Sequence, residues 1–296
     1  MILLLDIGNT NTHVGLAKAE SAAANLQPEG RQSCRPGSRR GDRNVAFPIA
    51  ERATTRLIVR NVDIPTADWR NGTAAEQLRQ FIGSARIEGA ALCSVVPRAT
   101  PKVNRAVSLL TGHQPLELTA ATIVGVGVDY PDPASIGADR LANALAVRHH
   151  FGCPSVVVGF GTAVAFDVVS REGNYIGGII APGLSAMTDY LHEKTALLPR
   201  IKLRDIRSVV GRSTEEAMLI GAVHGYRGLI RELIKELRVE LKCRRLPVIA
   251  TGGYAKLISR SLPEITKVEP LLTLEGLRLF WERREGKRSA AVLAAR

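Results

Sequence analysis

The first fifteen residues, MILLLDIGNTNTHVG, constrain the chain more than any other stretch. An apolar run, Met1–Leu5, leads into Asp6, then Ile7-Gly8-Asn9-Thr10-Asn11-Thr12, and apolar residues resume at Val14. A short apolar run bounded by turn residues is the pattern of a buried strand. His13–Ala17 is then the returning strand of a hairpin. The tip carries one carboxylate, a glycine and four small polar side chains. Gly8 lets backbone N–H groups come close to a ligand. Amides and hydroxyls at such a tip bind phosphate, and Asp6 can hold a metal ion directly or through water. Taken alone, the same letters also spell an ordinary hairpin turn.

The pattern returns. Val156–Val169, VVVGFGTAVAFDVV, lies on Leu3–Leu16, LLLDIGNTNTHVGL, at a constant offset that puts Gly161 on Gly8, Thr162 on Asn9 and Gly159 on Asp6. An internal repeat points to repeated architecture, here two similar half-molecules facing one ligand across a cleft. A third glycine turn, Thr251-Gly252-Gly253, ends the apolar run in LPVIATGGY. This order resembles the nucleotide site of the acetate and sugar kinase/Hsp70/actin superfamily, where the third turn lies beside the adenosine. The resemblance implies an α/β chain of two duplicated ribonuclease H-like (actin-like ATPase) domains with a nucleotide cleft between them. The expected halves are 1–127 and 128–296, the second holding the acceptor site, the second hairpin and a dimer interface.

With 296 residues the chain is long enough for two cores. No apolar run approaches the ~18 residues of a membrane span, and Asp6 interrupts what would be a signal sequence. Cys34, Cys93, Cys153 and Cys243 are scattered, without CxxC or Cys/His metal spacing, which points to a reduced, cytoplasmic protein. The net charge of +12 raises the question of nucleic acid. However, Arg31–Arg43 and Gly276–Arg296 contribute +4 each, and neither reads as a recognition helix. No nucleic-acid or membrane partner is expected.

Between the motifs, Ser21–Arg43 loses periodicity, and a disordered insertion is expected over 21–46. Strands are expected at 55–61, 89–96, 115–118 and 174–180. Helices are expected at 74–84, 101–110 and 184–194, and from Ser213 or Thr214 to about Lys242, broken or bent near Gly225 and Gly228. His149-His150 ends a helix, where positive charge suits the dipole. Tyr130–Arg140 is a loop running into that helix, which places Asp139 as a candidate N-cap. Arg140 at a helix start opposes the dipole and invites a ligand.

The ordered set of motifs resembles the type III pantothenate kinases. It comprises DIGNTNTHVGL (6–16), CSVVP (93–97), YPDPASIGADRLAN (130–143), FGTA (160–163), YIGGIIAPG (175–183), LLPRI (197–201), GRSTEEAM (211–218) and TGG (251–253). The resemblance implies ATP-dependent phosphorylation of pantothenate, the first step of coenzyme A synthesis, by a homodimer. It places ATP between the halves, with its phosphates at Asp6, Ile7, Gly8, Asn9, Thr10, Asn11, Thr12, His13 and Thr162, and Mg²⁺ at Asp6. Asp139 is similar to the family's catalytic base, and Arg140 to the residue holding the substrate carboxylate. Tyr130, Gly137, Ala138 and Thr214 match the remaining substrate contacts.

The chain departs from the family in one segment. Where the family has DFGTATT, this chain has Gly159-Phe160-Gly161-Thr162-Ala163-Val164-Ala165. The family carboxylate there binds an activating monovalent cation, K⁺ or NH₄⁺; Gly159 offers no ligand oxygen, so that site is expected to be lost. Two readings stay open: an active pantothenate kinase, and a non-catalytic or weakly active relative that binds ATP or pantothenate as an accessory protein.

Overall fold

A computed structural model describes residues 1–19 and 57–294. The insertion expected over 21–46 lies outside the described residues. The chain divides into two compact units: Met1–Gly152 with Gly173–Ile176 and Leu271–Arg296, and Cys153–Glu172 with Gly177–Pro270. The first unit thus takes in the loop and helix that follow residue 127.

The first unit is built on a five-stranded sheet, ordered β3-β2-β1-β4-β5. Its strands are β1 (Ile2–Ile7), β2 (Asn11–Ala17), β3 (Ile58–Pro65), β4 (Gly89–Ser94) and β5 (Leu116–Glu117). Strands β1, β2 and β3 pair antiparallel, while β1, β4 and β5 pair parallel. Ile2–Leu5 and Ile7 are fully buried, as a central strand covered on both faces requires. On one face lie α1 (Thr73–Ile82), through Ala74, Leu78 and Ile82, and α2 (Thr100–Thr111), through Val103 and Val107. Gly112, in the left-handed region, ends α2 and donates its N–H to Ser108.

The same unit holds α3 (Ala138–Phe151) and α7 (Leu272–Ala294). These two pack closely: a Cβ at Gly276 would fall on the Ala142 carbonyl oxygen. At the end of α3, His150 Nε2 lies 2.8 Å from Glu275, which also takes two bonds from the buried Arg278. The helix-end expectation for His149 holds, but its expected charge does not. Burial, then the charges of His150 and Arg283, pull it down to about 4, so the ring is neutral at pH 7.

The second sheet runs β11-β10-β7-β8-β9-β6. Its strands are β6 (Gly127–Val128), β7 (Ser155–Phe160), β8 (Ala163–Val169), β9 (Asn174–Pro182), β10 (Val248–Thr251) and β11 (Lys267–Val268). Read from β9 to β11, its order repeats that of the first sheet, with β6 added outside β9. The β7–β8 pair is antiparallel, and β10 and β11 follow β7 in parallel. The duplication therefore extends from the hairpin to the whole sheet. Around this sheet lie α4 (Leu184–Lys194), α5 (Thr214–Glu240) and α6 (Ala255–Ser259).

Two expectations change in register and continuity. The repeat does not keep one offset throughout: Asp6 pairs with His13 across β1–β2, whereas Gly159 pairs with Ala165 across β7–β8. The first tip has three residues between its strands and the second has two, so the return strands slip by one. Helix α5 is continuous through Gly225 and Gly228. Its buried face runs through Leu219, Val223, Tyr226, Ile230 and Ile234, and that packing outweighs a helix cost of ~1 kcal/mol per glycine. Leu229, Leu233 and Leu237 flank this face and are only half-buried.

Candidate active site

The candidate site in the first unit forms where β1 and β4 end and α3 begins. β1 presents Asp6, with Cys93 beside it on β4 and His13 on β2. The Cys93 thiol donates to Asp6 Oδ1 at 3.3 Å. His13 is exposed and bonds through Nδ1 to Asp63 at 2.6 Å. Burial and the negative charge of Asp139 raise Asp6 to about 6, against the opposing influence of His13 and the thiol. Burial likewise pushes the Cys93 thiol well up, with both aspartates adding to it, so it stays protonated and can donate.

Beyond Asp6 comes the tip. Asn9 and Thr10 are exposed, Gly8 and Asn11 half-buried, and Ile7 and Thr12 buried. Gly8 N–H closes the turn on Asn11 O at 3.0 Å, and a Cβ on Gly8 would sit 3.0 Å from that same oxygen. The Thr12 hydroxyl faces inward, engaged with Trp69 Nε1 at 3.0 Å and Thr66 Oγ1 at 3.1 Å. Thr66 Oγ1 donates to Gly8 O at 2.7 Å, and its N–H donates to Thr10 O at 2.9 Å. Thr66 and Trp69 form the 3₁₀ turn after β3. Sequence reasoning missed both: TADW after a strand reads only as a turn.

The acceptor motif folds as a 3₁₀ turn, Pro133–Ser135, then Gly137 and α3. Asp139 is not the cap. Gly137 holds the N-cap position, and its carbonyl accepts from the N–H of Arg140 at 3.1 Å. Asp139 is the second helical residue, with its carboxylate directed back: a Cβ on Gly137 would lie 2.6 Å from Asp139 Oδ1. Only a glycine leaves that carboxylate in place. Burial raises Asp139, opposed by the Arg140 N–H, the Arg140 charge and its own N–H. The Arg140 guanidinium carbon lies 5.6 Å from the Tyr175 ring centroid, and the Tyr130 ring lies 6.1 Å from the same ring, tilted by 57°. Tyr175, fully buried at the start of β9, was not among the expected site residues. Ala138, the first helical residue, is buried.

The remaining expected residues belong to the second unit. Thr162 is exposed at the β7–β8 tip, and Thr214 is exposed at the first position of α5, behind the Ser213 N-cap. Other turns press on the second tip. A Cβ on Gly183 would overlap the Thr162 carbonyl oxygen, and one on Gly252, whose φ is +91°, would lie 2.6 Å from Phe160 O. Gly159 sits between Ala165 of β8 and Thr251 of β10. A Cβ there would meet only Ala165 O at 3.8 Å and Thr251 Cγ2 at 3.9 Å.

The site thus has a half-buried aspartate at a strand end beside a glycine tip, a second at a helix start with an arginine after it, and a duplicated sheet. Residues 41–236 match the family described as "Type III pantothenate kinase". A type III pantothenate kinase of Akkermansia muciniphila is 45% identical over 217 residues, 73% of this chain and 86% of that protein. One from Roseiflexus is 35% identical over 284 residues, 95% of this chain and 98% of its own. The chain belongs to the type III pantothenate kinase family. Among solved structures, a conserved putative Baf family transcriptional activator from Campylobacter jejuni superposes with a TM-score of 0.54 at 15% identity, covering 96% of this chain and 99% of its own. That likeness speaks for the fold alone. In this type III pantothenate kinase family chain, the YPDPASIGADR stretch brings Tyr130, Gly137, Asp139 and Arg140 into the same unit as Asp6.

Proposed function

We propose that the chain transfers the γ-phosphoryl group of ATP to the hydroxyl of pantothenate, giving 4′-phosphopantothenate. The observation that carries this reading, beside family membership, is the pair of mutually repelling carboxylates, Asp6 and Asp139, with Arg140 next to the second. Phosphoryl transfer needs positioning and charge neutralisation more than covalent help from the protein. The exposed tip residues Asn9 and Thr10, with Gly8 and Asn11, receive the phosphates, joined by Thr162 of the second tip. Asp139 accepts the proton of the pantothenate hydroxyl; a raised carboxylate is a better base near neutral pH than an ordinary one. Arg140, its guanidinium carbon 5.6 Å from the Tyr175 ring centroid, forks onto the pantothenate carboxylate. Tyr130, Gly137, Ala138 and Thr214 complete that subsite.

Asp6 fits Mg²⁺. It offers hard oxygen ligands, carries more negative charge than its surroundings favour, and forms no ion pair with any lysine or arginine among the described residues. Bound there, the ion supplies charge neutralisation on the phosphates. A monovalent cation held by a side chain at position 159 does not fit, because glycine supplies no side-chain oxygen and a methyl of Thr251 faces the space. No step is assigned to one.

The same reading makes the protein a cytoplasmic homodimer. Ile180, Tyr190, Leu197, Val209 and Val210 of the second unit are each more than half exposed, and a second copy would cover them. Sedimentation should give a dimer, and Tyr190→Asp with Leu197→Asp should split it. For the activity itself, coupled ATP consumption should require pantothenate. Binding of both substrates without turnover would instead favour the accessory-protein reading, which Gly159 and the arginine-rich insertion recommend.

A further inference from the structure

We propose that Thr66 is a positioning residue for the phosphate tip, acting through a one-directional hydrogen-bond chain that runs from Trp69 through Thr12 and Thr66 to Gly8. The proposal rests on the reading that ATP phosphates lie on this tip. The direction of the chain follows from what each group can do. An indole N–H only donates and a carbonyl only accepts. Trp69 therefore gives its proton to Thr12 (3.0 Å), and Thr66 gives its one hydroxyl proton to Gly8 O (2.7 Å). That leaves Thr12 to donate to Thr66 across 3.1 Å. Each hydroxyl then donates once and accepts once, and no buried polar atom in the chain lacks a partner. Trp69 is 3% exposed, Thr66 6% and Thr12 0%. Such a chain is polarised in one sense and strengthened by the low local dielectric.

Its far end fixes the tip. Gly8 O is held by the Thr66 hydroxyl and Thr10 O by the Thr66 N–H at 2.9 Å. In a trans peptide the N–H points opposite to the carbonyl. With Gly8 O turned toward Thr66, the Asn9 N–H is turned away from it, on an exposed residue. One side chain thus sets the peptide plane whose amide meets the anion. Trp69, at the head of the chain, is placed to report on it.

The test uses the full chain with Trp281→Phe, which leaves Trp69 as its one tryptophan. Adding MgATP should change Trp69 emission. Thr66→Val keeps the shape but strands the Thr12 proton and Gly8 O; it should raise the ATP KM about tenfold and damp the emission response, with the pantothenate KM changed by less than about twofold. Thr66→Ser should restore both. Should the valine variant not fold, Trp69→Phe removes the first donor while leaving the Thr12–Thr66–Gly8 bonds in place, and a smaller rise confined to the ATP KM is expected. An unchanged ATP KM in Thr66→Val, with the emission response intact, overturns the positioning role alone. Equal losses for both substrates, tracking a lowered Tm and not rescued by serine, overturn it as merely structural. No Trp69 response in the Thr66 protein, while calorimetry records ATP binding, removes the phosphates from this tip and overturns both readings.

Discussion

The two hairpins occupy the same place in two sheets of the same order, yet their tips are held by opposite means. The β1–β2 tip has three residues and is braced by side chains, Thr12, Thr66 and Trp69, with Asp6 at the strand end. The β7–β8 tip has two residues and is braced by backbone. Gly183 N–H donates to Thr162 O at 3.2 Å, Tyr254 N–H lies 3.4 Å from Phe160 O, and Gly183 and Gly252 approach too closely for any side chain. Where the first has a carboxylate the second has Gly159. Duplication has kept the backbone frame, while chemistry borne by side chains gathers on the first unit. Substitutions around Asp139 should therefore act on the chemical step, and those that shift the backbone of either tip on nucleotide binding.

The hardest test of that division is Asp139→Asn, with the largest expected effect. Turnover should fall by roughly 10²–10⁴ while ATP binding persists, since an amide cannot take the hydroxyl proton. Stability should move the other way. Burial raises Asp139 in the folded protein, so a protonated carboxyl favours folding at low pH, and that contribution is lost as pH rises through the raised value. Asn removes this cost. The Tm of the variant should exceed that of the unmodified protein at pH 7–8, with the gap closing on acidification toward the ordinary value of 3.8. For the same reason the acid limb of kcat/KM should lie above that value. Normal turnover in the variant would take Asp139 out of the chemistry.

These two sites were unequally legible from sequence. The apolar runs, the glycine turns and the repeat give both hairpins and most helices, because those features are local. The one-residue difference between the tips was not legible, because DIGNT and GFGTA align well without a gap. Asp139 read as a cap because Asp commonly caps helices, but Gly137 takes that place and leaves Asp139 as the second helical residue. His149 read as charged because a helix end favours charge, and only tertiary burial reverses it. Thr66 and Trp69 had no local signal at all: their partners lie more than fifty residues back in the chain.

Next in size is Gly137→Ala. The new methyl would crowd Asp139 Oδ1 at 2.6 Å, an atom on a side chain that can rotate away. Folding should survive, but the carboxylate would leave its place, and kcat should drop by about 10²-fold with the ATP KM little changed. Gly183→Ala is its counterpart on the second unit and should act more mildly on rate. There the methyl meets backbone oxygens of Gly161 and Thr162, so the tip itself must shift. Overpacking of this kind costs about 1–3 kcal/mol, and the ATP KM should rise about tenfold, with kcat reduced less than in Gly137→Ala. If both variants fall on the same kinetic parameter, the division between the Asp139 carboxylate and the second tip is wrong.

The smallest effect expected is that of Gly159→Asp, which asks whether the second hairpin can regain a side-chain role. The position tolerates it sterically: the added Cβ has only two neighbours within 4 Å, at 3.8 and 3.9 Å, and neither belongs to a lysine or arginine. With no side-chain oxygen at position 159, the unmodified protein should turn over equally with and without K⁺. A new carboxylate between Ala165 O and the Thr251 methyl gains no donor from either, so without a cation it is poorly satisfied and lowers stability. A cation binding there would offset that loss by an amount that grows with its concentration. K⁺ should thus raise the Tm of the variant but not that of the unmodified protein, and turnover of the variant should rise a few-fold with K⁺. The melting curve separates binding from catalysis. A Tm response without a rate response would mean that a cation can sit in the second hairpin without serving the phosphates. Strong K⁺ activation of the unmodified protein would show that its second hairpin holds a cation without a side-chain carboxylate, and the contrast between the two tips would have to be redrawn.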